Sequence, residues 1–175
     1  VGIDSDGDGT LDLKMNGNHS YGTEGQEDKW LALSNVDFNL ETPWQNQDTD
    51  EQTFAIFTPV LTQYSSAGVA SAVSANGSKF RYVDDALVEH VLTYTGTAIE
   101  VPKEYLSSLQ FQTPKDFAGT FQIGVKAKTI DIDPDTNAVS TQISGPATTP
   151  GAPAVLEDSA ILSGTITTDA DAVRL

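Results

Sequence analysis

Asp4, Asp6, Asp8 and Asp12 stand in the run Asp4-Ser5-Asp6-Gly7-Asp8-Gly9-Thr10-Leu11-Asp12. Counted from Asp4 they fill loop positions one, three, five and nine, with Gly9 at six, which matches the first nine positions of an EF-hand-type calcium loop. Ca²⁺ is a hard cation that gathers roughly six to eight oxygen ligands, so a short loop must turn alternate side chains toward a single point. Gly9 supplies the backbone conformation that a residue with a Cβ resists at the sharp turn. Thr10 would then present its carbonyl, and Asp12 would act directly or through water. Met15 stands at position twelve, where a bidentate Glu is expected. A distant carboxylate must therefore complete the sphere, or the site is weak. Ca²⁺ is the cofactor this spacing predicts; the plainer alternative is an Asp/Gly-rich turn.

Two further acidic groups occur. Asp131, Asp133 and Asp135 alternate at a predicted strand end, where period two would put all three on one face, a poor arrangement without a cation between them. Pro134 bends the chain there, and both cation binding and a solvated acidic turn fit. Asp48, Asp50 and Glu51, beside Trp44, read as a solvated loop and as candidates for the missing far ligand of the first loop. His19 and His90 are the only histidines, the first in a turn-like stretch and the second on an alternating strand. No Ser-His-Asp order, phosphate loop or zinc spacing is evident, so no enzyme is expected. Tyr21, Trp30 and Trp44 lie in a long polar stretch, 16–52, and are candidates for sugar or peptide recognition; core packing is the commoner fate of such residues.

The elements that must position these residues are strands. Alternation dominates, and helical periodicity is nearly absent. Val36, Phe38 and Leu40 form one strand face. Thr53 to Leu61 is a strongly apolar strand in which Pro59 predicts an edge or a strand end. Gly68 to Ser74 is a weaker strand, and Asn76-Gly77 predicts a hairpin turn before Lys79 to Val83. Leu87 to Tyr94 follows, then a single helical turn opened by Pro102. Leu109 to Gln112 is extended, and Phe121, Ile123, Val125 and Ala127 make the cleanest alternating strand, with 137–144 returning antiparallel to it. Short strands separated by turn signals predict an all-β antiparallel sandwich over 1–145, which the resemblance given below makes Ig-like, its calcium-loop segment being 1–52. The Pro/Gly/Thr-rich stretch 146–154 reads as a stiff linker. The last segment, 155–175, begins a strand that either completes this domain or starts a following repeat.

Composition narrows the partners. With 25 acidic and 9 basic residues the net charge is −16, which argues against nucleic acid or an anionic membrane. Such an excess is costly in a compact fold unless cations neutralise part of it. No run approaches the ~20 apolar residues of a membrane span, so no direct membrane insertion is expected. No signal peptide opens the sequence, and with Val1 first it is expected to be a piece of something longer. There are no cysteines, which leaves metal ions rather than disulfides as the available cross-links of a secreted domain.

The run Asp116-Phe117-Ala118-Gly119-Thr120-Phe121, continued by Asp131-Ile132-Asp133-Pro134-Asp135-Thr136-Asn137-Ala138, resembles a signature of the immunoglobulin-like (cadherin-like) modules of giant bacterial RTX adhesins. Leu156-Glu157-Asp158-Ser159-Ala160-Ile161 resembles the opening of the next module in such arrays. The resemblance covers Tyr105 to Ile161. It implies a secreted module of the bacterial cell surface, stiffened by Ca²⁺ and stacked on neighbouring modules of the same adhesin. Its job is to extend the ligand-binding domains or, as a split domain, to scaffold them. It also implies that Glu157 and Asp158 ligate interdomain calcium; a charged strand start fits them as well. The Trp-containing 16–52 segment departs from a plain extender, and a glycan- or peptide-binding module using that segment is the alternative.

Overall fold

Phe121, Ile123, Val125 and Ala127 all point into one core and are essentially inaccessible to solvent. The strand that carries them organises the computed structural model, which describes residues 13–14, 19–20, 25–33, 39–40, 52–143 and 159–168. Five two-residue strands come first: β1 (Leu13–Lys14), β2 (His19–Ser20), β3 (Gly25–Gln26), β4 (Leu31–Ala32) and β5 (Asn39–Leu40). Longer strands follow: β6 (Gln52–Tyr64), β7 (Ala70–Val73), β8 (Lys79–Val83), β9 (Glu89–Thr93) and β10 (Ile99–Pro102). A 3₁₀ turn, Lys103–Ser108, precedes β11 (Gln110–Gln112), β12 (Gly119–Ile132), β13 (Val139–Ile143) and β14 (Ser159–Thr167).

These strands form two facing sheets, an all-β, Ig-like sandwich with one short helical turn, as expected. The larger sheet runs β10-β6-β12-β14-β2, with β7 also on β6, β13 also on β12 and β3 also on β14. The smaller runs β4-β11-β8-β9, and β1 pairs β5 apart from both. Pairing is antiparallel except where β2 and β3 lie parallel to β14. Aromatic contacts join the sheets: Phe57 of β6 stacks on Phe80 of β8 at 5.2 Å between centroids, and Phe111 of β11 meets Phe121 of β12 at 5.3 Å. Leu162 and Ile166 of β14 are buried in the same core, so this strand is built into the sandwich along Gly119–Lys126 of β12.

Two local expectations are corrected. Pro59 marks no strand end; it sits inside β6, a 13-residue strand, at a point where only one side is paired. On one side β12 runs alongside throughout, whereas on the other β10 covers Phe54 to Phe57 and β7 covers Leu61 to Tyr64. Pro59 falls in the gap between those two partners, where a residue without an N–H costs no ladder bond on that side. Asn76-Gly77 is a turn, with Gly77 at φ +92 and the Ser78 amide donating to the Ala75 carbonyl. It joins β7 of the larger sheet to β8 of the smaller, so it crosses between sheets and is not a hairpin.

Gly119 opens β12 at φ +153, and a Cβ there would run into the Thr62 carbonyl oxygen. Only glycine allows β6 and β12 to meet at this point. Gly119→Ala is therefore expected to lose roughly 1–3 kcal/mol through backbone strain and forced separation. Phe111→Ala, which empties a fully buried site, should lose about 3–5 kcal/mol. Urea denaturation checks both; for Gly119→Ala an unchanged midpoint contradicts the close approach.

Candidate functional site

The proposed calcium ligands Asp4, Asp6, Asp8, Thr10 and Asp12 lie outside the described residues, as do Glu157, Asp158, Tyr21, Trp44 and the Asp48, Asp50 and Glu51 group. The strand that follows Asp12 is described. Leu13 pairs with Leu40 and Lys14 with Asn39. The donor set itself, four carboxylates and a carbonyl, is all oxygen and fits a hard divalent cation.

Asp131, Asp133 and Asp135 are described, at the β12–β13 connection. Asp133 Oδ1 accepts the backbone N–H of Asp135 at 2.8 Å and of Thr136 at 3.2 Å. The Asp133 carbonyl accepts the Asn137 amide, and the Asp133 amide donates to the Ala138 carbonyl. Asn137 takes φ +57, tolerated by an Asx side chain. The result is a hydrogen-bonded hairpin loop in which Asp133 serves the backbone. These amides, that of Asp135 foremost, hold its carboxyl below the usual carboxylate range. Asp131 pairs with Ser140 further down the ladder. Among the described residues no group of three or more His, Asp or Glu side chains is placed to hold a metal ion.

Trp30 is half-buried on the outer face of the smaller sheet, just before β4. The Arg81 guanidinium lies over its ring, 4.2 Å from the centroid. Arg81 Nε donates to Gln110 Oε1 at 2.7 Å, Nη2 donates to the same oxygen, and Nη1 stands 3.8 Å from Glu89 Oε2. The register explains the meeting: Ala32 lies opposite Gln110, and Gln110 opposite Arg81. Trp30 is thus neither a core residue nor an unobstructed platform. It clips β4 onto the sheet by a cation–π contact, worth ~0.5–1 kcal/mol at an exposed site. Arg81, Gln110 and Glu89 were not singled out from the sequence; the available signal is that each occupies an outward position of an alternating strand.

His90 also proves to be part of a built cluster. Its ring stacks on Tyr82 at 4.8 Å, and Tyr82 stacks on Tyr105 at 5.5 Å. His90 Nε2 lies 2.8 Å from Asp84 Oδ2. The other Asp84 oxygen accepts the amides of Ala86 and Val88, each at 2.9 Å. The bond to His90 first, then these amides, hold the Asp84 carboxyl below its usual range. Burial, with Asp84 and Glu104 nearby, raises the Tyr82 phenol. Asp84 thereby fixes the β8–β9 turn, in which Leu87 adopts φ +62.

Two outcomes follow. Trp30→Ala should lower stability by roughly 1–2 kcal/mol from the lost cation–π contact and apolar burial, read by thermal or urea denaturation. A variant that melts like the parent would contradict the clip. For Asp133, a carboxyl depressed in the folded state adds stability above the unfolded-state pKa of 3.8, and that stability is lost as pH falls through the lower folded value. Asp133→Asn should therefore melt below the parent near neutrality, and the gap should close on acidification below 3.8. A gap independent of pH would show that charge plays no part in the turn.

No family model matches the sequence, and no curated relative matches it. Among solved structures, the chain is similar to the ASH / PapD-like domain of human CEP192 (PapD-like domain 7), with TM-score 0.39 and 6% identity over 91% of this chain and 88% of that one. That likeness is too loose to bear on function.

Proposed function

We propose that this chain is a calcium-stabilised structural module of a secreted, bacterial cell-surface adhesin of the RTX type, one that extends or scaffolds ligand-binding domains for adhesion and biofilm formation. The observation that carries the proposal is the Asp4, Asp6, Asp8, Asp12 spacing, placed immediately before the β1–β5 strand pair. The resemblance of 105–161 to adhesin modules and the sandwich architecture support it, since a sandwich presents its two ends to neighbouring modules. The role is mechanical and not enzymatic. Asp4, Asp6, Asp8, Thr10 and Asp12 would hold the ion. Its chemistry is charge neutralisation and cross-linking of a chain that carries 25 acidic residues.

An ion that binds only the folded chain stabilises it by mass action, by ~2.7 kcal/mol when present at a hundredfold excess over Kd. For a domain of this size that corresponds to roughly 5–10 °C in Tm. Addition of a chelator is therefore expected to lower the melting temperature by this order, with recovery on restoring Ca²⁺. The double variant Asp6→Ala/Asp8→Ala should melt at the chelated temperature and give no heat on calcium titration. Melting indifferent to chelator would remove the calcium loop and, with it, this function.

A further inference from the structure

The outer face of the larger sheet carries a groove of about 400 Å³, within the size range of small-ligand sites. Val60, Thr62 and Tyr64 of β6, Thr120 and Gln122 of β12, and Thr165 of β14 line it. Register sets these side chains in two transverse rows. Thr62 lies opposite Thr120 and Thr120 opposite Thr165; one step along, Val60 faces Gln122, and Gln122 faces Ser163. Because Phe121 and Ile123 point inward, their neighbours Thr120 and Gln122 point out.

Three properties define what this groove would take. Among the described residues, none that lines the groove carries a carboxylate, amine or guanidinium, although the chain has a net charge of −16. An ionic ligand would find no counter-charge here. The polar groups are hydroxyls and one primary amide, which both donate and accept, and Gln122 and Thr165 are exposed to solvent. One wall is aromatic: Tyr64 is half exposed, its hydroxyl 3.4 Å from Thr120 Oγ1. Hydroxyl and amide partners beside an aromatic wall match a pyranose, which has hydroxyl edges and C–H faces. Three strands about 4.8 Å apart span about 10 Å, the reach of two linked pyranose rings.

We propose that this face binds a neutral oligosaccharide, laid across β6, β12 and β14, with its hydroxyls on Thr62, Gln122 and Thr165 and a ring face against Tyr64. The site is separate from the Trp30 surface, where Arg81 covers the indole, and it does not depend on the calcium proposal. A glycan-binding face on the body of the module would let the stalk itself engage a polysaccharide surface.

The test is residue-resolved. The whole chain, ¹⁵N-labelled and in the presence of Ca²⁺, is titrated with cellohexaose, maltohexaose and mannohexaose, and with tetragalacturonate as the charged comparison. At least one neutral probe is expected to shift the amides of Thr62, Thr120, Gln122 and Thr165 in a saturable way, with a Kd of about 1 mM or tighter. Tyr64→Ala and Gln122→Ala should each weaken that binding about tenfold or more, with melting temperature unchanged for Gln122→Ala. The proposal is overturned by absence of saturable shifts with all neutral probes, by shifts that map instead to Trp30 and Arg81, or by equal binding of tetragalacturonate. Full affinity retained in Gln122→Ala overturns it too. Failure of any of these leaves the chelator experiment on calcium unaffected, so the two proposals stand or fall separately.

Discussion

The fold depends on β12 being paired along both edges at once. Thr120 to Ile130 lie against β6 on one side, while Gly119 to Lys126 meet β14 and Lys128 to Ile132 meet β13 on the other. A strand held this way has its register fixed twice, and a one-residue slip would turn Phe121, Ile123, Val125 and Ala127 out to water. Each of those side chains is buried, so the slip would cost several kcal/mol of burial. The same constraint determines the other face. Once the inward set is fixed, Thr120, Gln122, Lys126 and Lys128 must face outward, and the surface they form follows from the core. Lys128 takes part in that surface: its ammonium lies 2.6 Å from Glu100, and Glu100 stands opposite the outward Ile56, which is only 9% exposed.

A second constraint acts across the sandwich. The segment 25–33 begins as β3 on the larger sheet and ends as β4 on the smaller. Asp28, at φ +59, turns the chain between them. Its carboxylate accepts the Asp116 amide at 3.0 Å, and its carbonyl accepts the Gln112 side-chain amide at 3.0 Å. Gly25 lets the chain lie against Ile166, whose Cδ1 would stand 2.6 Å from a Cβ at that position. Trp30 under Arg81 completes the attachment. Nine residues thus join the two layers by backbone pairing at each end and by side-chain contacts between. Load carried through this part of the chain would be shared by both sheets.

Much of the fold was legible because its signal is local. Period-two alternation in 119–132 needs no knowledge of partners, and Pro102 marks the 3₁₀ turn through its own fixed φ. The errors came where the answer depended on a neighbour remote in sequence. Pro59 reads as an edge or a strand end, and nothing nearby reveals that the strand runs on past a local gap where β10 ends and β7 begins. Asn76-Gly77 has hairpin chemistry, yet the same turn serves a crossing between sheets. Trp30 reads as core or platform, and its partner Arg81 is far along the chain. The outer-face groove was missed for a related reason. Its threonines and glutamine are ordinary outward residues of three separate strands, and only the register reveals that they form two rows.

Electrostatics connects the acidic composition to these parts. Two described carboxylates in tight turns have their charge met by backbone amides, two for Asp84 and two for Asp133. One loop offers few amides in the right direction, so this device serves a single carboxylate per turn. Four carboxylates within nine residues, as from Asp4 to Asp12, exceed it. With 9 basic residues against 25 acidic ones, side-chain cations are too few to make up the difference, and Arg81 and Lys128 are already engaged. The divalent ion we propose would resolve the repulsion with a single charge centre and add a cross-link where cysteine is absent. By the same logic a groove with no carboxylate among its described lining residues stands out on so acidic a chain. If both proposals hold, the outer-face groove and the acidic run Asp4 to Asp12 take different ligands, one uncharged and one a cation.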